Sequence, residues 1–181
     1  MVSMEIEEYR PGFGRGLAIA ILVAAAVGFI ISMVVSPLAS LRYLPILALV
    51  VTLVWAAFWW PSVTVTPGGV TVKNILRTIE LPWPAIQAID TRYALTLQTA
   101  YGQYSAWAAP APGRAGVAQA AKTGGNSIGE RVSRRYDEVR ASGLLNGAKL
   151  ERDRPIVRWH WPLIAAMAIL LLATILTFTV L

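Results

Sequence analysis

Residues 116–123, GVAQAAKT, come within one residue of a phosphate-binding loop. In the pattern G-x-x-x-x-G-K-[ST], the lysine and the hydroxyl meet phosphate and Mg²⁺, and the second glycine lets backbone amides turn toward phosphate. Ala121 stands at that second glycine here. Such a loop must also follow a buried strand and open a helix, whereas this stretch lies in a linker with no parallel strand nearby. Nucleotide binding is therefore not predicted.

The remaining reactive side chains are few. The chain has no cysteine and one histidine, His160, so metal sites and Ser/His or Cys/His catalysis have almost no residues to use. Asp90 and Arg92 follow a predicted strand, where they either pair or cap a turn. The glycine-rich run 12–16 precedes an apolar segment and is typical of a flexible entry. We predict a non-enzyme without cofactor, metal or small-molecule substrate.

The composition indicates a membrane protein. Of 181 residues, 56% are hydrophobic and 14% are charged, against about a quarter charged in soluble domains. Uncharged runs at 16–35, 44–60 and 161–181 are long enough to cross a bilayer. Pro45 is tolerated in the first turn of the second run, for which a buried helix is the alternative. A cleavable signal peptide fits the first run poorly, because that run is long and follows Glu5, Glu7 and Glu8.

Basic residues near the ends of these runs predict their orientation. Nine lie on one side and only Arg42 on the other, so we expect residues 1–15 and 61–158 in the cytoplasm of a multi-pass cell-membrane protein, with the C-terminus outside. The nine are Arg10, Arg15, Lys73, Arg77, Arg140, Lys149, Arg152, Arg154 and Arg158. Four tryptophans then fall at the cytoplasmic interface, where indoles are favoured: Trp59, Trp60, Trp159 and Trp161.

The first run carries small residues at every fourth position, which lets another helix approach closely. These candidate helix-packing residues are Gly16, Ala20, Ala24, Gly28 and Ser32. Their partner is either the protein's own second and third spans, or another membrane protein or a second copy.

Short strands are predicted at 61–110. Val63 and Val65 alternate with threonines before the turn Pro67-Gly68-Gly69, and 70–73 completes a hairpin. Further strands are predicted at 77–81, 86–90, 94–99 and 103–108. A flexible linker at 111–126 and an amphipathic helix at 127–143 follow, then a basic juxtamembrane segment at 144–160. The helix begins with a capping box at Ser127, and Gly143 ends it. Its apolar stripe consists of Ile128, Val132, Tyr136 and Val139.

This pattern resembles the bacterial pleckstrin-homology (PH) domain proteins, in particular small membrane-anchored actinobacterial ones. The resemblance is carried by T-P-x-G-V-x-V-x-N from Thr66, then Arg77, then P-W-x-x-I-x-x-I-D from Pro82, and a terminal hairpin. Together with the three apolar runs, it implies an α+β membrane protein with three transmembrane helices. A small PH-like antiparallel β-barrel or sandwich lies between the second and third helices, and one amphipathic helix plugs its end. The helix at 127–142 either fills that position or lies on the membrane.

The predicted function is a non-catalytic protein-interaction or scaffold module at the cytoplasmic face, with an anionic-lipid-responsive module as the alternative and a subunit of an enzyme or transporter complex as a third. Expected partners are membrane lipid and another membrane protein or a second copy, with no nucleic acid. Tyr101 and Tyr104, at the last hairpin, are the expected partner contacts, whereas Trp83 and Trp107 are expected in the core. The candidate lipid-headgroup residues are Arg131, Arg134, Arg135, Arg152, Arg154 and Arg158.

Overall fold

The computed structural model describes residues 7–10, 14–110, 128–143 and 154–180. The chain divides into two compact units. One contains residues 1–10 and 61–158 and holds the strands; the other contains residues 11–60 and 159–181 and is helical. The predicted linker 111–126, the capping residue Ser127 and Arg152 lie outside the described residues.

The helical unit contains three helices that are long and apolar enough to cross a membrane. Helix α1 spans Arg15–Val35, and a short helix α2 at Pro37–Ser40 with a 3₁₀ turn at Leu41–Tyr43 leads into α3 at Leu44–Phe58. Since the residue before a proline avoids the helical region, Ser36 interrupts the helix ahead of Pro37. The second apolar helical stretch therefore runs from Pro37 to Phe58, earlier at both ends than predicted.

The third apolar helix, which we call α5, spans Trp161–Val180 and packs antiparallel to α3. Tyr43 at the start of α3 lies 5.9 Å from Phe178, between ring centroids. At the other end, the Trp60 indole N–H donates to His160 Nδ1 over 3.3 Å. These contacts place both ends of α3 beside the ends of α5.

Helix α1 turns its small-residue stripe away from the other helices. Ala18 is fully buried on the packed side, whereas Gly16, Ala20, Ala24 and Gly28 are exposed. A Cβ added at Gly16 or Gly28 would have no described atom within 4 Å. Only Ser32 has a polar side-chain contact, 2.8 Å between its Oγ and that of Ser40. Packing of the stripe against the protein's own helices, one of the two alternatives, is therefore not what the structure has.

The six predicted strands are present within two residues of their expected limits. A five-stranded antiparallel sheet contains three of them, and a three-stranded sheet contains the others. Hairpin pairs such as Val63 with Val72 place one valine row on the buried side and the threonines on the other. The strands are β2 Ser62–Thr66, β3 Gly69–Lys73, β4 Arg77–Pro82, β5 Ile86–Asp90, β6 Ala94–Thr99 and β7 Gly102–Pro110.

Two further strands were not predicted. Strand β1, Glu7–Tyr9, pairs antiparallel with β2, and strand β8, Ile156–Trp159, lies beside β4. Both come from segments that we expected to be a tail and a juxtamembrane linker. They complete the order β1-β2-β3-β4-β8. The second edge is supported by an ion pair of 3.5 Å between Arg158 and Glu80.

Of the predicted barrel or sandwich, the barrel alternative is wrong: the described strands form two open sheets, β1-β2-β3-β4-β8 and β5-β6-β7. The 3₁₀ turn Trp83–Ala85 interrupts the chain after β4 and directs it into the other sheet. The free edge of β4 then pairs with β8 instead of β5. The core is built from inward side chains of both sheets, including Val63, Val72, Ile79, Leu81, Trp83, Leu95 and Leu97.

The amphipathic helix, α4, spans Ile128–Ala141 and packs on this core with the predicted stripe. Val132 is fully buried, and the Tyr136 hydroxyl donates to the Ile86 carbonyl over 3.0 Å. Gly143 follows the helix with a φ of 75°, as expected for a C′ glycine. The stripe is occupied by the protein's own core, so the alternative in which this helix lies on the membrane does not hold.

Candidate interaction surfaces

The side chains whose types could support catalysis or metal binding make structural contacts. His160 accepts the Trp60 indole N–H and packs edge-to-face on that ring. The near phosphate loop at 116–123 lies outside the described residues. Within the described ranges, no group of three His, Asp or Glu side chains is arranged to hold a metal ion.

Asp90 and Arg92 close the turn between β5 and β6. The Asp90 carboxylate accepts the Arg92 backbone N–H at 2.9 Å and its guanidinium at 2.9 to 3.2 Å. The side-chain hydrogen bond from Arg92, followed by that from its backbone, lowers the pKa of Asp90. The pair is exposed, and it caps a turn and forms an ion pair at once, so the two alternatives from the sequence are combined.

The two tyrosines of the last hairpin differ in exposure. Tyr101, in the turn, is 45% exposed, and the Arg154 guanidinium lies 5.6 Å from its ring centroid. Tyr104 is partly buried against the core, because it stands opposite the fully buried Leu97 and shares its side of the sheet. Tyr104 is therefore not an exposed contact, contrary to our expectation.

Trp107 was expected in the core, but it is exposed. It is 59% exposed, whereas Trp83 is buried as predicted. Tyr104, Ala106 and Ala108 face the core, so the alternating residues of β7 face outward. The period of two along this strand indicates both assignments and would have found them.

The outward residues of β6 and β7 form one uncharged surface, which we call the outer face. Thr96 stands opposite Ser105, with 2.9 Å between their hydroxyl oxygens, and Gln98 stands opposite Gln103. The outer face consists of Thr96, Gln98, Gln103, Ser105 and Trp107. A surface without charged residues around an exposed indole has the composition of a protein interface core.

Asn74, in the turn between β3 and β4, ties the two sheets together. Its side-chain amide donates to the Ser105 carbonyl over 2.9 Å and accepts the Trp107 backbone N–H over 2.8 Å. Its own backbone N–H donates to the Arg77 carbonyl over 2.9 Å. The turn is thus fixed to the strand that carries the outer face.

Two antiparallel sheets packed on a core with a helix against it are the architecture that the sequence pattern suggested. Residues 60–135 match the family model of the bacterial PH domain. This segment is similar to the bacterial PH domain, and we refer to it below as the PH domain. No curated protein and no solved structure matches the chain significantly.

The match covers β2 to β7 and the first half of α4. Strands β1 and β8 lie outside the match, yet they pair with strands of the PH domain. The turn between β2 and β3, Pro67-Gly68-Gly69, is uncharged.

Helix α4 of the PH domain carries three of the six predicted headgroup arginines and is nearly neutral. Its four arginines are offset by Glu130, Asp137 and Glu138, giving a net charge of +1. Arg131 and Arg134 are exposed, and Arg135 pairs with Glu138 over 2.9 Å. Beyond the helix, Arg154 and Arg158 contact Tyr101 and Glu80.

The four predicted interface tryptophans belong to the helical unit. Trp59 and Trp60 follow α3, and Trp159 and Trp161 flank the start of α5. Trp159 and Trp161 are exposed, with 6.4 Å between their ring centroids. Because Trp60 contacts His160, all four lie around one end of the α3–α5 pair.

Proposed function

We propose that the protein is a membrane-anchored, non-catalytic interaction module that holds its PH domain at the cytoplasmic face of the cell membrane. A protein partner, either a soluble protein or a neighbouring membrane subunit, binds there. The PH domain supports an interaction role, and the three apolar helices support anchoring. The outer face is the observation that carries the choice of a protein partner.

The outer face is suited to a protein because its polar groups are uncharged and already ordered. Thr96 and Ser105 hold each other's hydroxyls, so little side-chain entropy remains to be lost there on binding. Trp107 offers a large exposed surface beside them, and tryptophan is enriched among residues that dominate binding energy. Tyr101, at the end of the same hairpin, extends the surface.

We expect a photoreactive amino acid at Gln103 to give one dominant protein adduct in intact cells, identified by mass spectrometry. In the protein that carries this probe at position 103, Trp107→Ala should lower the adduct yield at least about tenfold. A residue that anchors an interface contributes about 2 kcal/mol or more to the binding free energy. Tyr93→Ala is the matched control, since Tyr93 is an exposed aromatic residue in the β5–β6 turn and is not one of the outer-face residues. Equal yields from Gln103 and from a probe at Arg134 would contradict the proposal.

The competing function is a response to anionic lipid through the exposed arginines of α4. Each cation near such a surface contributes about 1 kcal/mol, but the near-neutral charge of the helix reduces the attraction. Lipid adducts from a probe at position 134 that disappear when Arg131, Arg135 and Arg140 are replaced by glutamine would favour this function over protein binding.

The membrane orientation is a separate prediction. Because nine basic residues flank one side of the three runs and Arg42 the other, a reporter fused after Leu181 should be active only outside the cytoplasm. A second fusion in the PH domain should give the opposite result. A cytoplasmic signal from the first fusion would overturn the proposed orientation.

A further inference from the structure

The turn between β3 and β4 has an unusual tip. The Asn74 backbone N–H bonds to the Arg77 carbonyl, so Ile75 and Leu76 form the tip. Turn tips are usually Gly, Asn, Asp, Ser or Pro, since these residues suit the backbone and tolerate water. Here both tip residues are large and apolar, and Leu76 is 39% exposed. A tip of this composition fits an apolar environment better than it fits water.

Cations flank the apolar tip on both strands. Lys73 ends β3 and Arg77 begins β4, and no acidic residue lies between them. The described side chains therefore combine an apolar point with two positive charges at its base. That arrangement matches a bilayer interface, where hydrocarbon lies beneath a layer of phosphate groups.

The tip is held in a fixed position. The Asn74 side chain bonds to the backbone of β7 at Ser105 and Trp107. These bonds already restrict the turn, so little conformational entropy remains to be lost when the tip binds. Ordering of the tip does not have to be induced by its partner.

The strand register puts the tip at the end of the sheet where the chain enters its apolar helices. Ser62 pairs with Lys73, and Lys73 pairs with Thr78. Three residues separate Ser62 from the end of α3, a connection of at most about 14 Å. Neighbouring strands are about 4.8 Å apart, so the tip lies at the end of the sheet where β2 begins. On the other side of β4, β8 ends one residue before α5.

We propose that the β3–β4 tip is a membrane-contact device: Leu76 enters the headgroup region of an anionic bilayer, and Lys73 and Arg77 bind its phosphate groups. The bilayer is the one that the helices cross, so the inference rests on the proposed anchoring. It does not depend on which protein binds the outer face, although Asn74 fixes the tip to the same strand, β7. Contact at this point fixes the PH domain against the membrane and limits its rotation about the helix connections.

Spin labelling tests the device directly, because the chain has no native cysteine. The full-length variants Leu76→Cys and Gly68→Cys are each labelled with a nitroxide and reconstituted in phosphatidylcholine vesicles with or without phosphatidylglycerol. Gly68 is the matched control: it is an exposed turn residue at the opposite end of β3 with no atom within 4 Å of a new Cβ. Collision with oxygen and with a nickel chelate reports the depth of each label.

We expect the Leu76 label to be submerged in anionic vesicles and the Gly68 label to stay in water. Adding Lys73→Gln and Arg77→Gln should lower the ratio of submerged to exposed label about thirtyfold, as expected for two cations at about 1 kcal/mol each. A Leu76 label as accessible to nickel as the Gly68 label overturns the proposal, and so does submersion that ignores lipid charge. A label at Val27→Cys in α1 separates the failures: if it is submerged while Leu76 is not, anchoring stands and only this inference fails.

Discussion

Replacing Gly69 by alanine is expected to lower the free energy of unfolding of the PH domain by about 3 kcal/mol, the upper part of the range for overpacking. An alanine Cβ at this position would overlap the Leu81 carbonyl oxygen and lie 2.8 Å from the Pro82 Cα. Both atoms are backbone of β4, which pairs with β3 at this residue. The overlap can be relieved only by moving one strand away from the other.

Gly68→Ala is the control for this effect, one residue earlier in the same turn. A Cβ there has no described atom within 4 Å, so its effect should stay within about 0.5 kcal/mol. The measurement is the unfolding midpoint of the full-length protein in detergent, with both variants in parallel. Similar midpoints for the two variants would show that the close packing of β3 on β4 is wrong.

Val132→Asp is expected to release α4 from the sheets, with a loss of about 4 kcal/mol. Val132 is fully buried, and no described cation lies in the core cluster to pair with the new carboxylate. The aspartate must either be protonated or reach water, and reaching water requires the helix to leave. Since the Tyr136 hydrogen bond to Ile86 belongs to the same contact, it would be lost with the helix.

Hydrogen exchange of the α4 amides measures this release. Arg134→Asp is the matched control, because it introduces the same carboxylate on the exposed side of the helix. We expect exchange in α4 to rise strongly for Val132→Asp and to stay near the native rate for Arg134→Asp. Unchanged protection in Val132→Asp would contradict the packing of α4 on the core.

The parts of the fold that the sequence predicted are those governed by local pattern. Alternation of Val63 and Val65 with threonines, and the turn at Pro67-Gly68, are enough to define a hairpin. The stripe of α4 has the helical period, and Gly143 has the conformation that its position requires. These features depend on neighbours in sequence, so they can be identified without the tertiary structure.

The missed parts depend on distant pairing. Strand β1 has three residues, two of them acidic, and β8 has four; neither is long enough to show a period. They become strands because β2 and β4 offer free edges. The open sheets follow from the same cause, since β8 occupies the edge that barrel closure would have used.

The candidate site was predicted only in part. The sequence indicated the last hairpin, and Tyr101 is exposed there, but Tyr104 and Trp107 were assigned to the wrong sides. Residue type alone favours a tryptophan in a core and an exposed tyrosine. The period of two along β7 instead places Trp107 outward and Tyr104 inward. The sequence alone does not indicate the tip at Ile75 and Leu76, because its place in the sheet follows only from the strand register.

The pairing of β1 with β2 also sets a parity rule for membrane insertion. Tyr9 lies opposite Val63, and the chain between them contains α1 and the second apolar stretch. Two residues that share a hydrogen-bonded ladder must be on the same side of the membrane, so the number of crossings between them must be even. If one of these helices failed to insert, Tyr9 and Val63 would be on opposite sides and the sheet would lose its first strand. Under the proposed anchoring, completion of the PH domain's edge is thereby coupled to correct insertion of both helices.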